Sequence, residues 1–281
     1  MESQRKHPRA FSFEFFPPKT PEGMQKLRAA WKQLAQLKPR FFSCTYGAGG
    51  STRDRTLETV LEIRAAGHPA APHISCVGAT RADVAATLEL YRAKGIDHVV
   101  ALRGDLPSGA ASAGELRHAN ELVELIRERT GGHFHVEVAC YPEFHPQARS
   151  PADDLVNFKR KLEAGADSAI TQYFFNADSY FRFIDDCEAA GISVPIVPGV
   201  MPIGNFSQLA RFSDACGADI PRWLRLKMLG FGDDTASIRS YGLDVVTGLC
   251  ERLLAAGAPG LHFYTMNQAG LASTIWQRLG I

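Results

Sequence analysis

Apolar positions along this chain follow two periods that take turns. Short continuous or alternating apolar runs occupy residues 11–16, 41–46, 73–77, 98–102, 135–141, 169–174, 195–200 and 261–265, the signature of strands. Between them, apolar residues recur at helical spacing: Met24, Leu27, Trp31 and Leu34; Leu57, Val60 and Leu61; Val84, Leu88 and Tyr91; Leu122, Leu125 and Ile126; Leu155, Phe158 and Leu162. Tyr180, Phe183, Ile184 and Cys187 continue the pattern. Phe206, Leu209 and Phe212 mark a short helix, Ile238, Tyr241, Val245, Leu249 and Leu253 a long one, and Leu271, Ile275 and Leu279 the last. Punctuation agrees with these periods. Thr20 before Pro21 reads as an N-cap, Ser51 with Asp54 and Thr80 with Asp83 as capping boxes, and Gly95 as a helix end. The run His98-Val99-Val100-Ala101-Leu102 suits a parallel strand buried on both faces, whereas Pro195 and Pro198 make the seventh strand the least regular. Eight strand-helix units in alternation predict an α/β fold, a (β/α)8 TIM barrel, as one domain over residues 1–281.

The first strand carries the most informative side chain. Alternation puts Phe11, Phe13 and Phe15 on one face and Ser12 and Glu14 on the other, and Pro17-Pro18 then ends the ladder. In a barrel Glu14 points inward near the C-terminal mouth, where such enzymes keep their chemistry; on an edge strand it would only face solvent. Thr45, Asp105, Tyr141, Gln172 and Asn267 also stand at or just past strand ends. Each alone could be a cap or loop filler, but a barrel would gather them at one mouth.

Composition narrows the partner. Lys and Arg number 31 against 30 Asp and Glu, so bulk charge suggests neither nucleic acid nor a membrane surface, and a small-molecule partner is expected. With no long apolar run and a polar N-terminus, the chain reads as soluble and cytoplasmic. Its six cysteines are scattered, which fits neither a zinc site nor a disulfide scaffold, and buried thiols are expected. Gly47-Ala48-Gly49-Gly50 lacks the Walker lysine and the dinucleotide spacing, so a tight turn explains it as well as a phosphate loop does. No His/Cys/carboxylate group has metal-ligand spacing, and no metal is expected. No predicted strand contains the lysine a Schiff-base aldolase needs. Lys159, Arg160 and Lys161 form a basic group on a helix: a solvated face, or a clamp for an anionic cofactor.

Longer motifs go further. Ser12-Phe13-Glu14-Phe15-Phe16-Pro17-Pro18-Lys19, Thr45-Tyr46-Gly47-Ala48-Gly49-Gly50, Ala71-Pro72-His73, Ala101-Leu102-Arg103-Gly104-Asp105, Tyr141-Pro142-Glu143, Ile170-Thr171-Gln172 and His262-Phe263-Tyr264-Thr265-Met266-Asn267 occur in one order across nearly the whole chain. In these motifs the chain closely resembles the methylenetetrahydrofolate reductase family, FAD-containing barrel enzymes of methionine biosynthesis. The resemblance implies reduction of 5,10-methylenetetrahydrofolate by NADH or NADPH, by a ping-pong route through reduced FAD. It makes Glu14 the general acid and Asp105 an acid beside the flavin that also contacts the pterin. Tyr46, Ala48, His73, Arg103, Gly104, Asp105, His118, Ala119, Tyr141, His145, Ala148, Asp154, Asn157, Arg160 and Lys161 fall at FAD-binding positions. Thr45, Asp105, Gln172, Gln208 and Phe212 fall at substrate-binding ones.

One position departs from the family pattern: Gln268 stands where some bacterial relatives carry arginine. The chain stops at Ile281, short of the regulatory domain of eukaryotic relatives, and bacterial relatives suggest a homo-oligomer. The implied chemistry suits the residues. Opening the bridged folate ring needs a proton donor on the departing nitrogen, and Glu14 among phenylalanines fits that role. A pterin-binding C1-transferase barrel without flavin, or a non-catalytic folate- or flavin-binding barrel, would share much of the pattern.

Overall fold

Alternation of strand and helix is what the chain adopts in the computed structural model, which describes residues 1–47, 52–104 and 114–281. After a short helix α1 (Glu2–Arg5) come β1 (Ala10–Phe15), α2 (Pro21–Ala35), β2 (Phe41–Cys44), α3 (Arg53–Ala65), β3 (Ala70–Ser75), α4 (Arg81–Ala93), β4 (His98–Leu102), α5 (Ala119–Thr130) and β5 (His135–Cys140). The second half runs α6 (Pro151–Glu163), β6 (Ser168–Thr171), α7 (Ala177–Ala189), β7 (Ile196–Val197), β8 (Gly199–Val200), α8 (Phe206–Cys216), α9 (Arg222–Gly230), α10 (Thr235–Ala256), β9 (Gly260–Tyr264) and α11 (Ala269–Leu279). Among the described residues the strands form a nine-stranded sheet in the order β7-β6-β5-β4-β3-β2-β1-β9-β8. The pairs from β1 through β5, and β8 with β9, are parallel. This is the (β/α)8 class. The ninth strand arises because Pro198, which cannot donate to a ladder, divides the predicted seventh into β7 and β8.

By packing, the chain divides into two compact units. One comprises Ser12–Ala139 and Val156–Ala169. Its sheet is anchored by Phe13, Phe15 and Phe42, all fully buried, with the Phe15 and Phe42 rings stacked 5.6 Å apart. Such pairs add about 0.5–1.5 kcal/mol beyond the area they bury. Thr20 caps α2 by accepting from the Gly23 N–H at 3.1 Å, and Thr80 and Asp83 form the predicted box on α4; each cap is worth about 1 kcal/mol. On α3 the predicted stripe is rotated. Val60 is buried, but Leu57 and Leu61 are half-buried, and Thr56, Thr59 and Ile63 face inward. Two threonines can face inward because their hydroxyls are satisfied, Thr56 donating to the Thr45 carbonyl and Thr59 to that of Arg55, both at 2.8 Å. The N-cap of α3 is Thr52; Ser51 of the expected box lies outside the described residues.

The other unit comprises Met1–Phe11, Cys140–Leu155 and Ile170–Ile281. Here the polar N-terminus, which carries no apolar periodicity, forms α1. Gln4 is fully buried and bridges backbone, donating to the Val194 carbonyl at 3.0 Å and accepting from the Ile196 N–H at 2.8 Å. A buried amide with both ends used replaces the ladder partners that the short strand β7 lacks. Helix α9 is not among the predicted elements; it buries Leu224 and Met228, one turn apart, while Trp223, Leu226 and Leu229 are exposed. None of the six cysteines is in a disulfide, and all but the half-buried Cys216 are buried. No helix among the described residues is long and apolar enough to cross a membrane.

Candidate functional site

Register fixes the environment of Glu14. As the penultimate residue of β1 it pairs with Ser43 of β2, whose hydroxyl is buried without a hydrogen bond. Its carboxylate Oε2 lies 3.3 Å from Nε2 of His73 on β3, with the two side chains 17% and 6% exposed. This corrects the expectation of an acid among phenylalanines. Phe13 and Phe15 belong to the opposite face, as strand alternation demands, and stack there on Phe42. The contact is within ion-pair distance but is not a hydrogen bond, so register places the imidazole beside the carboxylate without a proton shared between them. Close by, burial pushes the Cys44 thiol far above its ordinary range, and the Glu14 charge adds to that shift; the thiol is inert.

Several residues implied as cofactor contacts gather in local clusters of the same unit. The Arg103 carbonyl accepts from the Ser75 hydroxyl at 2.8 Å and the Val77 N–H at 2.9 Å, which ties the end of β4 to the chain leaving β3. Gly104 follows with φ +85°, and a Cβ there would lie 1.9 Å from Ser75 Oγ, so glycine is required. His118 caps α5 and its N–H donates to the Glu121 carboxylate at 3.2 Å, with Ala119 beginning the helix. Along α6 the Arg160 guanidinium donates to the Asn157 amide oxygen at 3.0 Å and is exposed. Lys161 instead turns onto the Ala139 carbonyl at the end of β5, 2.5 Å away. Thr45 leaves β2 with its N–H on the Phe15 carbonyl at 2.8 Å, and burial raises the phenol of Tyr46 beside it. Ala48 and Asp105 lie outside the described residues.

In the other unit, Tyr141, His145, Ala148 and Asp154 form one group. The Asp154 carboxylate accepts from the His145 N–H at 2.8 Å, the Ala148 N–H donates to the His145 carbonyl at 2.9 Å, and the Tyr141 and His145 rings meet edge to face at 4.7 Å. Gln172 follows β6, with its N–H on the Cys140 carbonyl at 2.8 Å and its side-chain oxygen accepting from the Tyr173 N–H at 3.0 Å. That bond aims its NH2 group elsewhere.

Gln208, Phe212 and Gln268 come together in a cavity of about 220 Å³ with Arg239, Met266 and Leu271; Gln172 is not among its lining residues. Arg239 is the one charged side chain among the described lining residues, and Phe212 is 39% exposed. The rim is a turn in which Met266 and Asn267 both have positive φ, 51° and 57°. Asparagine tolerates this region, but methionine pays about 1–3 kcal/mol for it. Sequence reasoning missed Arg239, which sits in the first turns of the long helix without a motif around it. The Thr-Met-Asn string was visible, but its backbone strain was not.

A family model described as methylenetetrahydrofolate reductase matches residues 1–280. The chain belongs to that family. It is 43% identical to the 5,10-methylenetetrahydrofolate reductase of Salmonella typhimurium over 96% of this chain and 90% of that one, and 42% identical to the Escherichia coli enzyme with the same coverage. It is 37% identical to methylenetetrahydrofolate reductase (NADH) 1 of Arabidopsis thaliana, over 97% of this chain but 48% of that protein. Among solved structures, an uncharacterized protein from Clostridium thermocellum that binds two copies of 5-methyl-5,6,7,8-tetrahydrofolic acid superposes with a TM-score of 0.68 at 17% identity, covering 98% and 95% of the two chains. A 2,3-dimethylmalate lyase superposes with a TM-score of 0.55 at 11% identity, over the whole of this chain and 83% of that one. Both likenesses are of fold alone.

Proposed function

We propose that this family member reduces 5,10-methylenetetrahydrofolate to 5-methyltetrahydrofolate with a reduced nicotinamide, NADH or NADPH, by a ping-pong route through bound FAD. It would act in the cytoplasm as a homo-oligomer and supply methyl groups for methionine biosynthesis. The observation that carries the reading is the Glu14–His73 contact at 3.3 Å, made across β2 between nearly buried positions of β1 and β3. Glu14 delivers a proton to the nitrogen that leaves as the bridged folate ring opens, and His73, at an FAD-binding position, stands beside it. Asp105, if ionised, steadies the positive charge that develops on ring opening.

The donor set suits FAD. Arg160 offers an exposed guanidinium to the pyrophosphate, His118 and Ala119 offer a helix N-terminus, and Gly104 leaves backbone accessible where no side chain fits. Tyr46, Tyr141 and His145 add rings to lie against a flat group, and Ala148, Asp154, Asn157 and Lys161 complete the contacts. Bound there, FAD supplies the hydride acceptor and donor that no side chain can be. Thr45, Gln172, Gln208 and Phe212 then serve two flat substrates in turn, with amides that suit either and an aromatic face that suits both.

The test is optical. Purified protein should be yellow, bleach with NADH or NADPH, and regain colour with methylenetetrahydrofolate. Colourless active protein would favour a flavin-free C1 transferase, and a yellow protein that does not bleach would favour a carrier.

A further inference from the structure

We propose that His98, His135 and Glu137 form a binding site for a divalent transition metal of the zinc type, at the N-terminal ends of β4 and β5. Metal-ligand spacing is absent along the chain because the ligands come from two strands. The parallel register sets His98 directly beside His135, and Glu137 returns to the same side two residues on. His98 Nε2 lies 3.6 Å and His135 Nε2 3.8 Å from the same oxygen, Glu137 Oε1. One donor atom from each residue fits within a span of 4.8 Å. A tetrahedral ion with bonds of about 2.0–2.2 Å wants its donors roughly 3.3–3.6 Å apart, so two of the three separations are nearly right as they stand. The third closes if the His135 ring, 41% exposed, swings inward.

The surroundings match a metal site better than a chance meeting of polar groups. His98 Nε2 is buried and makes no hydrogen bond, while the Phe41 ring packs on that imidazole with centroids 4.4 Å apart. Glu137 is 5% exposed, so an ion bound there would meet its carboxylate away from bulk water. On the far side of His135, Nδ1 lies 3.9 Å from the Asp167 carboxylate, which is itself fixed by Arg127 at 2.6 Å and by the Val136 N–H at 2.7 Å. An anchored carboxylate behind a ligating imidazole is the usual second layer of a zinc site. The Ser168 hydroxyl lies 2.8 Å from His135 Nε2 and 3.2 Å from Glu137 Oε1, where it or a water can fill the fourth position. Two imidazoles and one carboxylate favour zinc, cobalt or nickel over magnesium or calcium. Standing at strand starts rather than strand ends, the ion would pin β4 to β5 and take no part in the folate chemistry.

Cobalt(II) tests this on the full chain. After chelator treatment and dialysis, the parent should take up one equivalent per chain with visible absorption of tetrahedral type and no thiolate charge-transfer band. Zinc should displace the cobalt and raise the melting temperature. His135→Ala, at an exposed position that leaves the core intact, should weaken cobalt binding at least ~100-fold, since loss of an outer partner alone costs 10–100-fold. The same variant should lose the zinc-dependent melting shift and keep its folded circular dichroism. A parent that retains no cobalt, or a His135→Ala protein that retains it undiminished, overturns the site and leaves a hydrogen-bonded His–Ser–Glu cluster.

Discussion

The Glu14–His73 pair and the Gln208–Phe212–Arg239–Gln268 cavity are built in opposite ways. Glu14 on β1 and His73 on β3 belong to a regular parallel ladder with β2 between them, nearly buried, with positions set by register. The cavity is assembled from α8, α10, α11 and a strained turn; Gln208, Phe212, Arg239 and Gln268 are half or fully exposed, and apart from Arg239 its polar side chains are neutral. A ladder holds an atom where a proton must be delivered. A wall of exposed amides and one aromatic ring suits ligands that must come and go. The two regions should therefore respond to mutation differently, the ladder in rate and the cavity in affinity.

The sharpest break is Glu14→Gln, which keeps shape and hydrogen bonding but removes the acidic proton. Reduction of the flavin by NADH or NADPH needs no such proton and should stay within a few-fold of the parent. Reoxidation by methylenetetrahydrofolate should fall by about 10²–10⁴, the usual worth of general acid catalysis. Stopped-flow flavin absorbance follows each half-reaction alone. Equal slowing of both, or loss of FAD, would reduce Glu14 to a structural strand residue.

The next effect separates two cations that adjoin in sequence. Arg160 is exposed and donates to Asn157 on its own helix, whereas half-buried Lys161 holds the Ala139 carbonyl. Arg160→Ala with Lys161→Ala should weaken FAD retention at least tenfold, from contacts worth about 1.5–3 kcal/mol each. Of the single changes, Lys161→Ala alone should also lower unfolding free energy, by about 1–2 kcal/mol, because it leaves a strand-end carbonyl without its charged donor. Equilibrium dialysis of FAD and urea unfolding of the apoprotein read the two effects separately. Undiminished FAD binding in the double variant would remove the clamp.

How much could be read from sequence follows the same division. Alternation along Ala10–Phe15 placed Glu14 and its phenylalanines on their proper faces, and every strand of the described sheet fell inside or beside a run identified by period. Where hydrogen bonds rather than burial decide, the pattern failed. Thr56 and Thr59 displaced Leu57 and Leu61 from the inner face of α3, and Gln4 carried a helix into the interior without an apolar stripe. Arg239 and the turn at Met266 depend on which helix passes which strand end. No local signal encodes that.

The smallest effect is the most specific to this chain, and it concerns where the cavity keeps its charge. Gln268 is neutral, and Arg239 lines the same cavity from α10. If the cavity receives an anionic part of a substrate, Arg239 supplies the charge that position 268 does not. An exposed pair is worth at most about 1 kcal/mol. Arg239→Ala should therefore raise one Michaelis constant by about fivefold or less without changing turnover at saturation, because uniform binding is lost rather than transition-state stabilisation. Gln268→Arg added to Arg239→Ala should recover most of that loss, since it returns a cation to the same lining, and raising salt should shrink both differences. Steady-state kinetics of the two single variants and the double variant, at low and high ionic strength, measure all of this in one series. Michaelis constants that move in none of them would mean that neither substrate reaches this cavity, and the contrast between a rate-setting ladder and an affinity-setting cavity would fail on its second half.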